Sequence, residues 1–124
     1  MILDAGVLIS FDRHERPSTT IIEALEQRGS AIHTTEPVVA QVWRHGAQQV
    51  RLARLLHTLV IHPFEEGRSV GRLLGASGMS DVVDAHLVHL AVQLGEPVLT
   101  GDPDDLRRIG ASFRDHAPTI YAWP

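Results

Sequence analysis

The chain reads as an α/β protein, a three-layer α/β/α sandwich around a short-stranded, mainly parallel sheet, and three observations lead there. Short apolar runs of strand length alternate with longer helix-patterned stretches, as they do when each strand is followed by a helix crossing back over a sheet. Two of those runs, Met1-Ile2-Leu3 and Pro97-Val98-Leu99-Thr100, lead within two residues to an aspartate, Asp4 and Asp102. Right-handed crossovers bring the carboxyl ends of parallel strands to one edge, where open sheets place their ligands.

Taken in order, Ala5 to Ile9 turns into a first helix after Asp4, and Asp12 to Arg16 forms a charged turn. Pro17 opens a second helix through Gln27, with Ile21, Ile22 and Leu25 inward and Gly29 at its end. Ala31-Ile32-His33 is a second strand, and Thr34 or Thr35 caps a helix over Glu36 to Arg44. Gly46 breaks the chain before a basic amphipathic helix, Gln48 to His57, with Val50, Leu52, Leu55 and Leu56 inward and Arg51 and Arg54 outward. Leu59-Val60-Ile61 is a third strand, Glu65 to Leu74 a helix, and Gly75 and Gly78 flank the next turn. Ser80 then caps a helix whose packed side is Val82, Val83, Leu87, Leu90, Ala91 and Leu94, stopped by Gly95. After Ile109 the chain loosens, and Thr119 to Trp123 is a final edge strand.

Composition narrows the function. A chain of 124 residues with 44% apolar and 21% charged content is one domain, 1–124, with a real core. It holds no cysteine, which excludes a disulfide framework and thiol chemistry. No apolar run approaches the roughly 20 residues of a membrane span, and Met1 leads straight into a strand, so a cytoplasmic protein without a signal peptide is expected. The net charge of −4 argues against a generally basic nucleic-acid coat but allows a local basic groove. Arg44, His45, Arg51 and Arg54 form the only concentrated positive patch, either a solvated helix face or a rim that grips phosphates.

The acids between Gly78 and Ile109 need the most explanation. Asp81 and Asp84 stand i, i+3, on one helix face and within a turn of each other, where they repel. Asp81, Asp104 and Asp105 are also good helix-start residues, and Asp4 can cap the helix that follows it. Asp84 is read as lying a full turn into its helix, where a carboxylate gains nothing from the terminus. Carboxylates gathered from separate strand ends stay ionised together only beside a compensating cation. Oxygen ligands without cysteine select a hard ion, Mg²⁺ or Mn²⁺, and such an ion with one or two carboxylates suits phosphodiester hydrolysis. A rival constellation, His86 and His89 with Asp84, imitates a zinc site. However, Asp84 and His86 are two apart and point in different directions, and no third nitrogen ligand is evident. Most of the eight histidines are expected at the surface.

Four pieces of the chain carry a resemblance: Asp4 in ILDAGVLIS, the helix VVAQVWR, SDVVDAHLVHLA with Asp84, and VLTGDPDDL with Thr100, Asp102 and Asp105. In that order and spacing the sequence resembles the PIN domain, the nuclease fold of VapC toxins, nearly end to end. The resemblance implies a PIN-like sandwich and Mg²⁺- or Mn²⁺-dependent cleavage of an RNA substrate. It also implies a small cognate antitoxin and a homodimer. Carried over residue by residue, Asp4, Asp84 and Asp102 match the family's metal-binding acids. Gln41 stands where the family usually has Glu, and an amide oxygen brings no charge. Glu36, five residues earlier, lies about 140° round the helix and substitutes poorly. Asp81, one turn before Asp84, restores the charge in this reading, with Gln41 completing the shell and Thr100 and Asp105 tuning it. Arg44, Arg51 and Arg54 would contact RNA. The other reading is a catalytically weak or inactive PIN-like module that binds RNA or a partner protein.

Overall fold

Five strands, none longer than three residues, are enough to organise this chain. In the computed structural model, which describes residues 1–124, they are β1 (Ile2–Leu3), β2 (His33–Thr35), β3 (Val60–His62), β4 (Val98–Thr100) and β5 (Ile120–Ala122). They form one sheet in the order β3-β2-β1-β4-β5, and every pairing is parallel. Ile2 pairs with His33 on one side and with Val98 on the other. The chain therefore steps outward from β1 to β3, returns to the far side of β1, and steps outward again. That reversal opens a crevice at the carboxyl ends of β1 and β4.

Helices α1 (Ala5–Asp12), α2 (Arg16–Gln27), α3 (Glu36–Val42) and α4 (Val50–Thr58) form one layer, with α2, α3 and α4 all packed on α1. Helices α5 (Gly67–Ser77), α6 (Val82–Leu94) and α7 (Pro103–Gly110) pack on one another to form the other layer. Ile2, Leu3, Val98 and Leu99 are buried between them, with Leu8, Val38 and Leu52 from one layer and Leu87, Leu106 and Ile109 from the other. A parallel sheet covered on both faces needs uninterrupted apolar strands, which is why these runs do not alternate.

Several boundaries differ from the sequence reading. β2 starts two residues later than expected, at His33, and so includes Thr34 and Thr35, both wholly buried. The Thr34 hydroxyl donates to the Leu3 carbonyl at 2.9 Å and the Thr35 hydroxyl accepts from Val38 N at 3.2 Å. These hydroxyls satisfy backbone groups, so polar residues fit a buried strand. Gly75 lies inside α5 and only Gly78, at φ +71°, ends it. α3 stops at Val42 rather than Arg44. The cap of α6 is Asp81, not Ser80. Held between α5, α7 and β4, α6 buries Ala85, His86 and Val88 as well as Leu87, Leu90 and Ala91, while Val82 and Leu94 are exposed. No helix is long and apolar enough to cross a membrane.

Candidate active site

Asp4 is fixed from two directions. As N-cap of α1 it takes an extended backbone, and its Oδ1 accepts from Ala5 N at 2.7 Å. Its Oδ2 accepts from the Thr100 hydroxyl at 2.6 Å. That same hydroxyl, wholly buried at the end of β4, accepts from Asp102 N at 3.0 Å. One side chain thus ties the end of β1 to the loop that carries Asp102.

The opposite layer supplies Asp84. The Asp81 Oδ1 accepts from Asp84 N at 3.1 Å, which places Asp84 in the first turn of α6 rather than a full turn in. Asp81 therefore caps its helix and also contributes charge to the crevice. The Asp84 side chain is buried to 8% exposure, and every influence on it opposes ionisation. Burial first, then the charges of Asp81, Asp4, Asp102 and Asp105, push its carboxyl up to about 7. Asp4 is raised as well, by burial first; the Thr100 and Ala5 hydrogen bonds lower it and the charges of Asp102 and Asp81 raise it. The charges of these aspartates thus act on one another, although no three of them come together as a metal-binding group. Asp4 and Asp84 form the buried floor, and Asp81, Asp102 and Asp105 stand exposed around them.

The donor set of this pit is carboxylate and hydroxyl oxygen, the chemistry of a hard divalent ion. No three acidic or histidine side chains close into a cage. An ion held here by one or two carboxylates would keep water as its other ligands. Gln41 is exposed on α3, and Glu36 is not among the charges acting on Asp4 or Asp84.

His86, at 1% exposure, is the one fully buried histidine of the eight. Its Nε2 lies 3.2 Å from Glu66 Oε2 and its ring meets Phe64 edge-on, with centroids 4.8 Å apart. Burial holds its pKa below the usual histidine range, against the pull of Glu66. With its nitrogen turned to Glu66, His86 makes no zinc triad with His89 and Asp84.

Arg51 corrects the sequence reading. It turns onto α1, donating from Nε to the Phe11 carbonyl at 3.0 Å and from Nη2 to Thr19 Oγ1 at 2.8 Å. Its guanidinium lies 4.2 Å from the Phe11 ring centroid, so it braces two layer helices rather than pointing outward. Arg44 and Arg54 are exposed. Arg54 lines an open cleft of about 550 Å³ with Asp12, Glu26 and Arg51, and none of the five pit carboxylates borders it.

The sequence reading assigned no role to Trp123 beyond ending the last strand. Its N–H donates to the Thr100 carbonyl at 2.7 Å, and its indole reaches across to Gly6, the second residue after Asp4. The available signal was a lone tryptophan at the carboxyl end of a strand, the edge where the aspartates already stood.

Strand order, layer assignment and an acidic crevice at the β1/β4 reversal define a PIN-type α/β/α sandwich. No family model and no curated protein matches the sequence. Among solved structures the chain is similar to VapBC2 from Rickettsia felis, determined bound to a DNA fragment from their promoter. The TM-score is 0.71 over 99% of this chain and 98% of that one, at 16% sequence identity, so the shared property is the fold.

Proposed function

We propose that this chain is a metal-dependent endoribonuclease that hydrolyses RNA phosphodiester bonds in the cytoplasm, the toxin of a type II toxin–antitoxin pair. The observation that carries this reading is Asp84, buried in the first turn of α6, whose carboxyl is pushed up to about 7 by burial and by the charges of Asp81, Asp4, Asp102 and Asp105. A Mg²⁺ or Mn²⁺ ion, when bound, would orient the scissile phosphate, lower the pKa of a bound water and offset charge on the leaving oxygen. Asp4, Asp84 and Asp102 are the residues from which its one or two carboxylate ligands would come, with Asp81 adding negative charge and Gln41 offering a neutral oxygen. Thr100 keeps Asp4 oriented, and Asp105 adds to the field on Asp84. Arg44 and Arg54 would meet RNA phosphates away from the pit. The structural likeness to VapBC2 supports a cognate antitoxin, and a homodimer is part of the same proposal. Gln41 in place of the expected Glu favours a second reading, a weak or inactive module that binds RNA or a partner protein.

Incubation of the purified protein with single-stranded RNA separates the two. Cleavage is expected with Mn²⁺ and not with EDTA, and Asp4→Asn should slow it at least about 100-fold. RNA binding without cleavage by the folded, Mn²⁺-supplemented protein supports the module.

A further inference from the structure

Trp123 occupies a position that the carboxylate chemistry does not use. Its N–H extends the β4–β5 ladder one residue past Ala122, bonding the carbonyl of the same Thr100 whose hydroxyl holds Asp4. A Cβ placed on Gly6 would stand 3.7 Å from the indole Cδ1 and 4.0 Å from Gly101 N. A Cβ on Gly101 would stand 3.8 Å from the Trp123 carbonyl. The indole therefore lies against Gly6, the second residue after Asp4, while the Trp123 main-chain carbonyl faces Gly101, just before Asp102. Two Cα steps place Gly6 no more than about 7.6 Å from Asp4.

The ring is only partly buried, and it forms one wall of a cavity of about 170 Å³ that also touches Gly6, Ile9, Ser10, Arg13 and Glu15. Glu15 is engaged, accepting from the Ser10 hydroxyl at 2.7 Å. Arg13 is exposed and is the only cation lining the cavity. A partly exposed aromatic ring and an arginine lining one cavity, with the ring against the glycine two residues after Asp4, are elements of the kind by which proteins grip single-stranded nucleic acid. Stacking on aromatic rings tolerates any base, and a nearby arginine follows the backbone.

We infer that Trp123 and Arg13 form a nucleotide subsite flanking the carboxylate pit. The indole stacks the base next to the scissile phosphate and the guanidinium pairs with the adjoining phosphate. This rests on the ribonuclease reading and specifies how that site takes its substrate.

The chain has two tryptophans, so a Trp43→Phe protein reports from Trp123 alone. Titrated in EDTA with a short single-stranded RNA, its emission should quench saturably. Trp123→Ala should weaken binding about tenfold and Trp123→Phe much less, because phenylalanine also stacks. Arg13→Gln should reduce the salt dependence of binding by about one phosphate contact. In the Mn²⁺ reaction Trp123→Ala should raise KM more than it lowers kcat. Saturable RNA binding that leaves the Trp43→Phe emission unchanged, with unaltered affinity in Trp123→Ala, overturns the subsite and leaves the nuclease reading intact. Failure of the folded protein to bind or cleave RNA under any of these conditions overturns both.

Discussion

Gln49 and Asp84 are buried to nearly the same degree, at 7% and 8% exposure, yet their surroundings treat them in opposite ways. The Gln49 Oε1 accepts from Arg44 N and His45 N, each at 2.8 Å, while its Nε2 donates to Asp12 Oδ2 at 3.0 Å and to the Val42 carbonyl at 2.9 Å. All four hydrogen-bonding capacities of the amide are used, and the α3–α4 connection is stapled to α1. Asp84 is met by other carboxylates instead. Buried polarity that is fully satisfied serves the fold, whereas buried charge that the chain leaves uncompensated points to something from outside.

That contrast can be tested from both sides. Gln49→Ala leaves two N–H groups and a carbonyl without their partner, so it should cost about 3 kcal/mol of unfolding free energy in urea titration. Cleavage per folded molecule should be unchanged; a folded but inactive variant would make the staple part of the site. Gln41→Glu adds a further carboxylate on α3 and, in the proposed site, should tighten Mn²⁺ binding about tenfold by calorimetry, equivalent to about 1.4 kcal/mol. Unaltered affinity would place position 41 outside the ion's reach. The smallest effect is expected of Thr100→Val. Its hydroxyl lowers the Asp4 pKa, so its loss should move the acid limb of the pH–rate profile to higher pH. An unmoved limb would show that ionisation of Asp4 does not control the rate.

Much of the fold and most of the pit were legible because they depend on chain order alone. Asp4 and Asp102 follow buried strands, and parallel strands share an edge, so their meeting needed no coordinates. Asp84 was found because a carboxylate in an apolar helix is conspicuous, although its place in the first turn depended on which residue capped α6. Ser80 and Asp81 are both good caps, and spacing does not choose between them. Arg51 was misread because an amphipathic pattern shows which face is polar but not that Phe11 and Thr19 stand against it. Gln49 and Trp123 escaped for a related reason. Each is unremarkable in sequence and acquires its role from groups brought from elsewhere, Asp12 and Val42 in one case and Gly6 and Thr100 in the other.

The central claim concerns Asp84, and thermal melting of the metal-free protein across pH addresses it most directly. With a folded-state pKa of about 7 against an ordinary 3.8, this carboxyl binds its proton more tightly in the fold than in the unfolded chain. Its contribution is therefore fully present below about pH 4 and is lost as pH rises through 7, to a total on the order of 4 kcal/mol. At pH 8 without metal, Asp84→Asn should melt roughly 10 °C above the unsubstituted protein and lose most of this pH dependence. Mn²⁺ should raise the melting temperature of the unsubstituted protein but not that of Asp84→Asn. An Asp84→Asn protein that melts no higher at pH 8 and still responds fully to Mn²⁺ would contradict the account.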